Sequence, residues 1–321
     1  MNPALIVEHP YGVTWTHEYS KVNPFFTPNA ASIPCAVTEI TFYDANHCPG
    51  AAIILARLPD SDGTCHVHTG DMRYHEKFLD YPLLKDAVTN GKIDRVYLDT
   101  TYGHPKHSFP TQQNSVDVIA SGVRELLNPN ATGLQKESDT VTPADLVCNE
   151  NKTLVLLSCY SIGKEKVLWA AATQSSQMVY VNDAKYKRLQ CIAGHTNIDA
   201  SSGILDLCTQ DPTESNLHVI PMGTAGKMFP YFIPNFEGCA KYAKDCKTEY
   251  KRVVAFIPTG WAEASKYNNK NSVSNKDVAV FSEKQISSVI NVEVRLVPYL
   301  EHSSFGELQS FVGFLRPKKK E

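Results

Sequence analysis

The sequence predicts an α/β layered fold with a mainly buried sheet, on two observations. Apolar runs rich in β-branched residues recur between Gly, Pro and Asn, and segments of helical spacing alternate with them. Composition agrees: 321 residues, 42% hydrophobic and 20% charged, can bury the core of one large domain or two ordinary ones. No apolar run exceeds six residues, whereas a bilayer-spanning helix needs roughly 20, so a membrane-spanning class is excluded. The amino terminus, Met1-Asn2-Pro3-Ala4, lacks the basic-then-apolar layout of a secretory signal. Nine scattered cysteines without a Cys-x-x-Cys pair point to reduced thiols in an intracellular compartment. A net charge of −3 gives no overall attraction for polyanions, so any such site must be local.

In chain order, residues 36–43 alternate apolar and polar and 51–57 are continuously apolar, so the first is a half-buried strand and the second a buried one. Further strands are expected at 95–98, 153–158, 217–221, 252–257 and 292–299. Val116, Ile119, Val123, Leu126 and Leu127 line one face of a helix. Phe305, Leu308, Phe311, Val312 and Leu315 line another, opened by a capping box of Ser304 with Glu307. Polar stretches at 128–152 and 269–276 read as surface loops, and the basic end 316–321 as a solvated terminus.

Five places could carry chemistry. His47, in the Asp-Ala-Asn-His-Cys-Pro-Gly turn after a strand, is held as a metal ligand must be, or is a hydrogen-bonded loop histidine. His66 and His68 share a strand face, and Asp71 just beyond them offers a carboxylate able to bridge two cations. Asp99 closes an apolar strand, as a ligand-orienting acid or a structural turn residue. The strand, turn and helix over 153–166, with Ser161 and Lys164, outline a phosphate cradle without the P-loop spacing. His302 stands between a strand and the capping box. Two basic clusters, Lys185 with Lys187 and Arg188 and Lys241 with Lys244 and Lys247, are a DNA path or solvated helix faces.

Taken together, the segments DANHCPGA, HTGDMR, LDTTYGHPKHSFPTQQ, YSIGKEKV, PTGW and PYLEHSS follow one another in an order that closely resembles the metallo-β-lactamase/β-CASP nucleases of interstrand cross-link repair, the family of Artemis and Apollo. The resemblance runs from about residue 40 to 317 and is strongest to the cross-link repair exonuclease branch. It implies a metallo-β-lactamase αββα sandwich, amino-terminally incomplete at residues 1–105, a β-CASP insertion at 106–290, and a return segment at 291–321. By resemblance His47, Asp71 and His302 are metal ligands, Asp71 and Asp99 are catalytic, and Ser161 and Lys164 lie at a pocket for a terminal 5′-phosphate. His66 and His68 match no ligand of the family.

The implied function is a zinc-dependent 5′-to-3′ exonuclease in the nucleus, using one or two divalent cations on single-stranded or damaged, 5′-phosphorylated DNA. The family's His-x-His-x-Asp-His motif is absent from residues 1–46. The expectation is therefore a fragment with an incomplete metal site. A catalytically inactive DNA- or partner-binding paralogue and an RNA-processing β-CASP nuclease remain as alternatives.

Overall fold

The structure, a computed structural model, describes residues 12–18, 37–60, 62–128, 152–193, 203–228, 232–260, 273–275, 278–283 and 290–318. The chain divides into two compact units, Met1–Ser108 with Glu301–Glu321, and Phe109–Leu300. Among the described residues, no helix is long and apolar enough to cross a membrane.

The first unit holds a sheet in the order β1 (Thr14–Glu18), β2 (Val37–Asp44), β3 (Ala52–Arg57), β4 (Cys65–His68) and β5 (Ile93–Tyr97). Neighbours are antiparallel except β4 and β5, which run parallel across the connection containing α1 (Pro82–Thr89). Period-two alternation turns Ile53 and Leu55 of β3, and Cys65 and Val67 of β4, into the core. The helix Phe305–Leu315 closes that core with Leu308, Phe311 and Leu315, three, four and seven residues apart on one stripe. Burying Phe311 contributes roughly 1.5–3 kcal/mol, with Phe78 edge-on at 5.9 Å. The helix begins where the sequence says it should, because Ser304 accepts from the Glu307 N–H while Glu307 accepts from the Ser304 N–H.

The second unit is built on an eight-stranded sheet. Its parallel portion contains β6 (Thr153–Cys159), β7 (Val179–Tyr180), β8 (Cys208–Thr209), β9 (Leu217–Pro221), β12 (Arg252–Thr259) and β15 (Asn291–Pro298). Antiparallel β13 (Val273–Asn275) and β14 (Val278–Glu283) finish one edge. The short strands β10 (Gly226–Lys227) and β11 (Ile233–Pro234) pair by themselves. Val155 and Leu157 of β6 face α2 (Gln112–Leu127) and α3 (Glu165–Ser175); Leu154 and Leu156 face α5 (Phe236–Asp245). Helices on both faces explain why Leu154, Val155, Leu156 and Leu157 of β6 are apolar without alternation. At Gly122 of α2 an added Cβ would stand 3.1 Å from the Phe256 ring, so the helix lies close on β12 because that side chain is missing. α4 (Asp183–Ala193) follows β7; the helix that closes the core of the first unit is α6 (Phe305–Leu315).

The α/β class is as expected; three details differ. The strand expected to return to the first sheet, 292–299, is β15 of the second unit, in parallel register with β12 and buried at Val292, Val294 and Leu296. The division accordingly falls at 108 and 300 rather than at 105 and 290, since a strand goes where its hydrogen bonds and both its faces are satisfied. Residues 273–275 of the expected 269–276 loop form β13. The expected loop core at 129–151, Trp261 and the last residues 319–321 lie outside the described residues.

Candidate metal centre

Three turns of the first unit each deliver one ligand-type side chain. After β2, the Asp44 carboxylate accepts from the Asn46 N–H, and Asn46 takes a left-handed φ of 55°, which asparagine tolerates well. The Asn46 amide donates to the Arg73 carbonyl and the Arg73 N–H to the Ala45 carbonyl, so the His47 turn is tied to the Asp71 turn. The third turn is fastened in the same way. Ser303 donates its N–H and its hydroxyl to the Met72 carbonyl and accepts from the Tyr74 N–H. Arg73, 1% exposed, reaches the His302 carbonyl and the Glu307 carboxylate.

These ties bring His47, Asp71 and His302 together with ligand atoms all within 4.8 Å of one another, the one such cluster among the described residues. The two imidazole centroids are 4.6 Å apart, and His47 Nε2 is 4.0 Å from the Asp71 carboxylate. Each imidazole has its Nδ1 committed. His47 Nδ1 donates to the Glu301 carbonyl at 2.7 Å, and His302 Nδ1 donates to Asp99 at 2.8 Å. Both Nε2 atoms are thereby the available donors, an arrangement that fits a divalent cation. Asp71 is 68% exposed and contributes the negative charge.

Asp99 stands behind His302 rather than in the ligand cluster. Its side chain is 4% exposed, and its oxygens accept from His302, from the Thr101 hydroxyl and N–H, and from the Met72 N–H. Burial alone would raise its pKa, but these hydrogen bonds outweigh burial and hold the carboxyl well below the usual carboxylate range. It stays ionised and positions His302. The hydrogen bond that His302 donates to Asp99 in turn raises the His302 pKa against the pull of burial, with the Asp99, Asp71 and Glu301 charges adding to it. Among these bonds, the one from His302 Nδ1 makes Asp99 a support for that imidazole. Arg73 and the Glu301 carbonyl escaped sequence reasoning, the first because it carries no ligand atom and the second because a backbone acceptor leaves no signature.

His66 and His68 stand apart from the cluster. His66 faces Asp94 at 3.7 Å, and His68 stacks on Tyr97 at 5.7 Å and accepts from the Gly70 N–H. In the second unit, Ser161 is exposed. Lys164 is not: it is 3% exposed, takes a φ of 66°, and donates to the Pro258 carbonyl at 2.6 Å. Its ammonium is committed to the Pro258 carbonyl and lies over the Tyr160 ring. Lys185 is also withdrawn from the expected basic cluster, buried in an ion pair with Glu165 at 2.9 Å, whereas Lys187 and Arg188 are exposed.

Residues 202–320 match the family described as DNA repair metallo-beta-lactamase. Over 283 residues the chain is 33% identical to the DNA cross-link repair 1A protein of Homo sapiens, covering 88% of this chain and 22% of that protein. Over 284 residues it is 32% identical to DNA ligase 6 of Arabidopsis thaliana, covering 88% of this chain and 17% of that one. Identity to the DNA cross-link repair protein SNM1 of Arabidopsis thaliana is 32% over 281 residues, 88% of this chain and 47% of that protein. The chain thus spans about a fifth of the length of the first two and about half of the third. Divalent-metal binding is a property of this fold family, and the donor set of the first unit suits it. On the ordered motifs, the matched region and relatives aligned along most of its length, the chain belongs to the metallo-β-lactamase/β-CASP family of DNA cross-link repair proteins.

Proposed function

We propose that this protein hydrolyses DNA phosphodiesters as a metal-dependent nuclease of interstrand cross-link repair in the nucleus. The observation that carries the reading is the convergence of His47, Asp71 and His302, from turns as far apart as 255 positions in sequence (47 to 302), on one small volume. A bound divalent cation, which we take to be zinc from its two-imidazole, one-carboxylate donor set, supplies charge to polarise a phosphoryl oxygen and activate water. The chain's own residues do the rest. The Glu301 carbonyl and the Asp99 carboxylate orient the two imidazoles with Nε2 outward, and Asp71 offsets cationic charge at the solvent side.

The finer reading is a 5′-to-3′ exonuclease that starts at 5′-phosphorylated single-stranded or damaged ends. Its support is the family resemblance and the exposed Ser161 turn at the start of α3. Phosphate contacts of this kind set register without reading sequence. The test is digestion of 5′-phosphorylated and 5′-hydroxyl single strands of DNA and of RNA, with bound metal measured in parallel. Asp71→Asn is expected to lower both bound metal and DNA digestion, digestion by roughly 100-fold or more, a barrier increase of about 2.7 kcal/mol. Equal digestion by the variant overturns the assignment, and equal use of both end types overturns the 5′-phosphate preference.

A further inference from the structure

Tyr160 follows β6 at the turn that leads into α3, and 49% of its surface is exposed. The Lys164 ammonium lies over its ring, 4.2 Å from the centroid, in a position 3% exposed. Its backbone is equally well held. Lys185 Nζ donates to the Tyr160 and Ser161 carbonyls at 3.3 Å and to Glu165 at 2.9 Å, while Glu165 also accepts from the Gly163 N–H at 3.0 Å. Two buried lysines and a buried glutamate therefore fix one exposed aromatic ring. A cation on the inner face draws π-density inward and leaves the outer face suited to an electron-rich heterocycle.

We infer that Tyr160 is a stacking platform for the first nucleobase of a single-stranded end. The inference rests on the nuclease reading above and adds to it a residue that senses whether the end carries a base. Stacking asks only for a π-face, which every base has, and so suits an enzyme indifferent to sequence. Charge favours a nucleic acid over an apolar peptide at this place: Arg188, exposed and three residues beyond Lys185 on the same side of α4, offers a cation to an adjoining phosphate.

The test measures binding of 5′-phosphorylated single-stranded DNA to the full chain by fluorescence anisotropy in chelator, where no cleavage occurs. One strand carries a normal first nucleotide and the other an abasic one. The unaltered chain is expected to bind the first roughly 5- to 150-fold more tightly, the range that stacking one base supplies. Tyr160→Phe keeps that preference and Tyr160→Leu abolishes it, with all three proteins alike on the abasic strand. Equal affinity of the unaltered chain for both strands overturns the inference, as does a Tyr160→Leu loss of the same size on both. Either result leaves the nuclease reading standing. Failure of the unaltered chain to bind any strand removes the nucleic-acid reading and this inference with it.

Discussion

His302 and Asp99 show how one residue acquires its role from another. The Asp99 carboxylate fixes the tautomer of the His302 imidazole and leaves Nε2 as the outward ligand atom. Asp99→Asn keeps the shape and removes the charge. Cation affinity, measured by competition with a chelator, is expected to fall about 10- to 100-fold, whereas affinity equal to that of the unaltered chain would leave Asp99 a purely structural residue. His47, Asp71 and His302 were legible as candidates because each stands in a short turn at a strand end. Asp99 was legible as a ligand-orienting acid or a turn residue but not as the partner of His302 in particular, since what a hydrogen bond joins is set by what folds against it.

At the scale of elements, α4 carries the clearest lesson. Lys185, Lys187 and Arg188 look like one basic patch in sequence, yet the buried residues of the helix are Lys185, Leu189 and Ile192. Those three stand four and three residues apart, the spacing of one helical face, so the signal that Lys185 points inward was present. Lys185→Met leaves Glu165 buried without its cation, and breaking such a pair costs about 3–5 kcal/mol. Chemical denaturation of the variant should show a loss on that scale. The double variant Lys185→Met with Glu165→Leu should recover much of it, since neither charge is then left unpaired. A single-variant loss under about 1 kcal/mol would show that water reaches Glu165.

For the molecule as a whole, one buried histidine makes the stability of the second unit depend on pH. His218 of β9 is fully buried in the second unit, with Nε2 donating to the Ser215 carbonyl at 2.9 Å and Nδ1 accepting from the Tyr242 hydroxyl at 3.2 Å. Burial lowers its pKa below the ordinary 6.5, against the carbonyls of Ser215 and Pro212 that favour the proton. The unfolded chain therefore takes up this proton at higher pH than the folded one. The stabilising contribution is complete above the unfolded value of 6.5 and is lost as pH falls through the lower folded value. Denaturant unfolding at pH 7.5 and 5.5 should show reduced stability at the lower pH, and His218→Gln should show a smaller reduction. An identical pH dependence in the two proteins would rule His218 out as its source.

What the sequence determined by itself is what local chemistry determines: the α/β alternation, the capped start of α6, the turns that bear His47, Asp71 and His302, and the family those turns spell out in order. Only the tertiary structure decided that β15 belongs beside β12, that Lys164 and Lys185 turn inward, and that Asp99 holds His302. The reason is physical. Periodicity and turn propensity act over a few residues, whereas strand pairing, burial of a charge and the orientation of an imidazole depend on partners as much as 254 positions away, which no local pattern encodes.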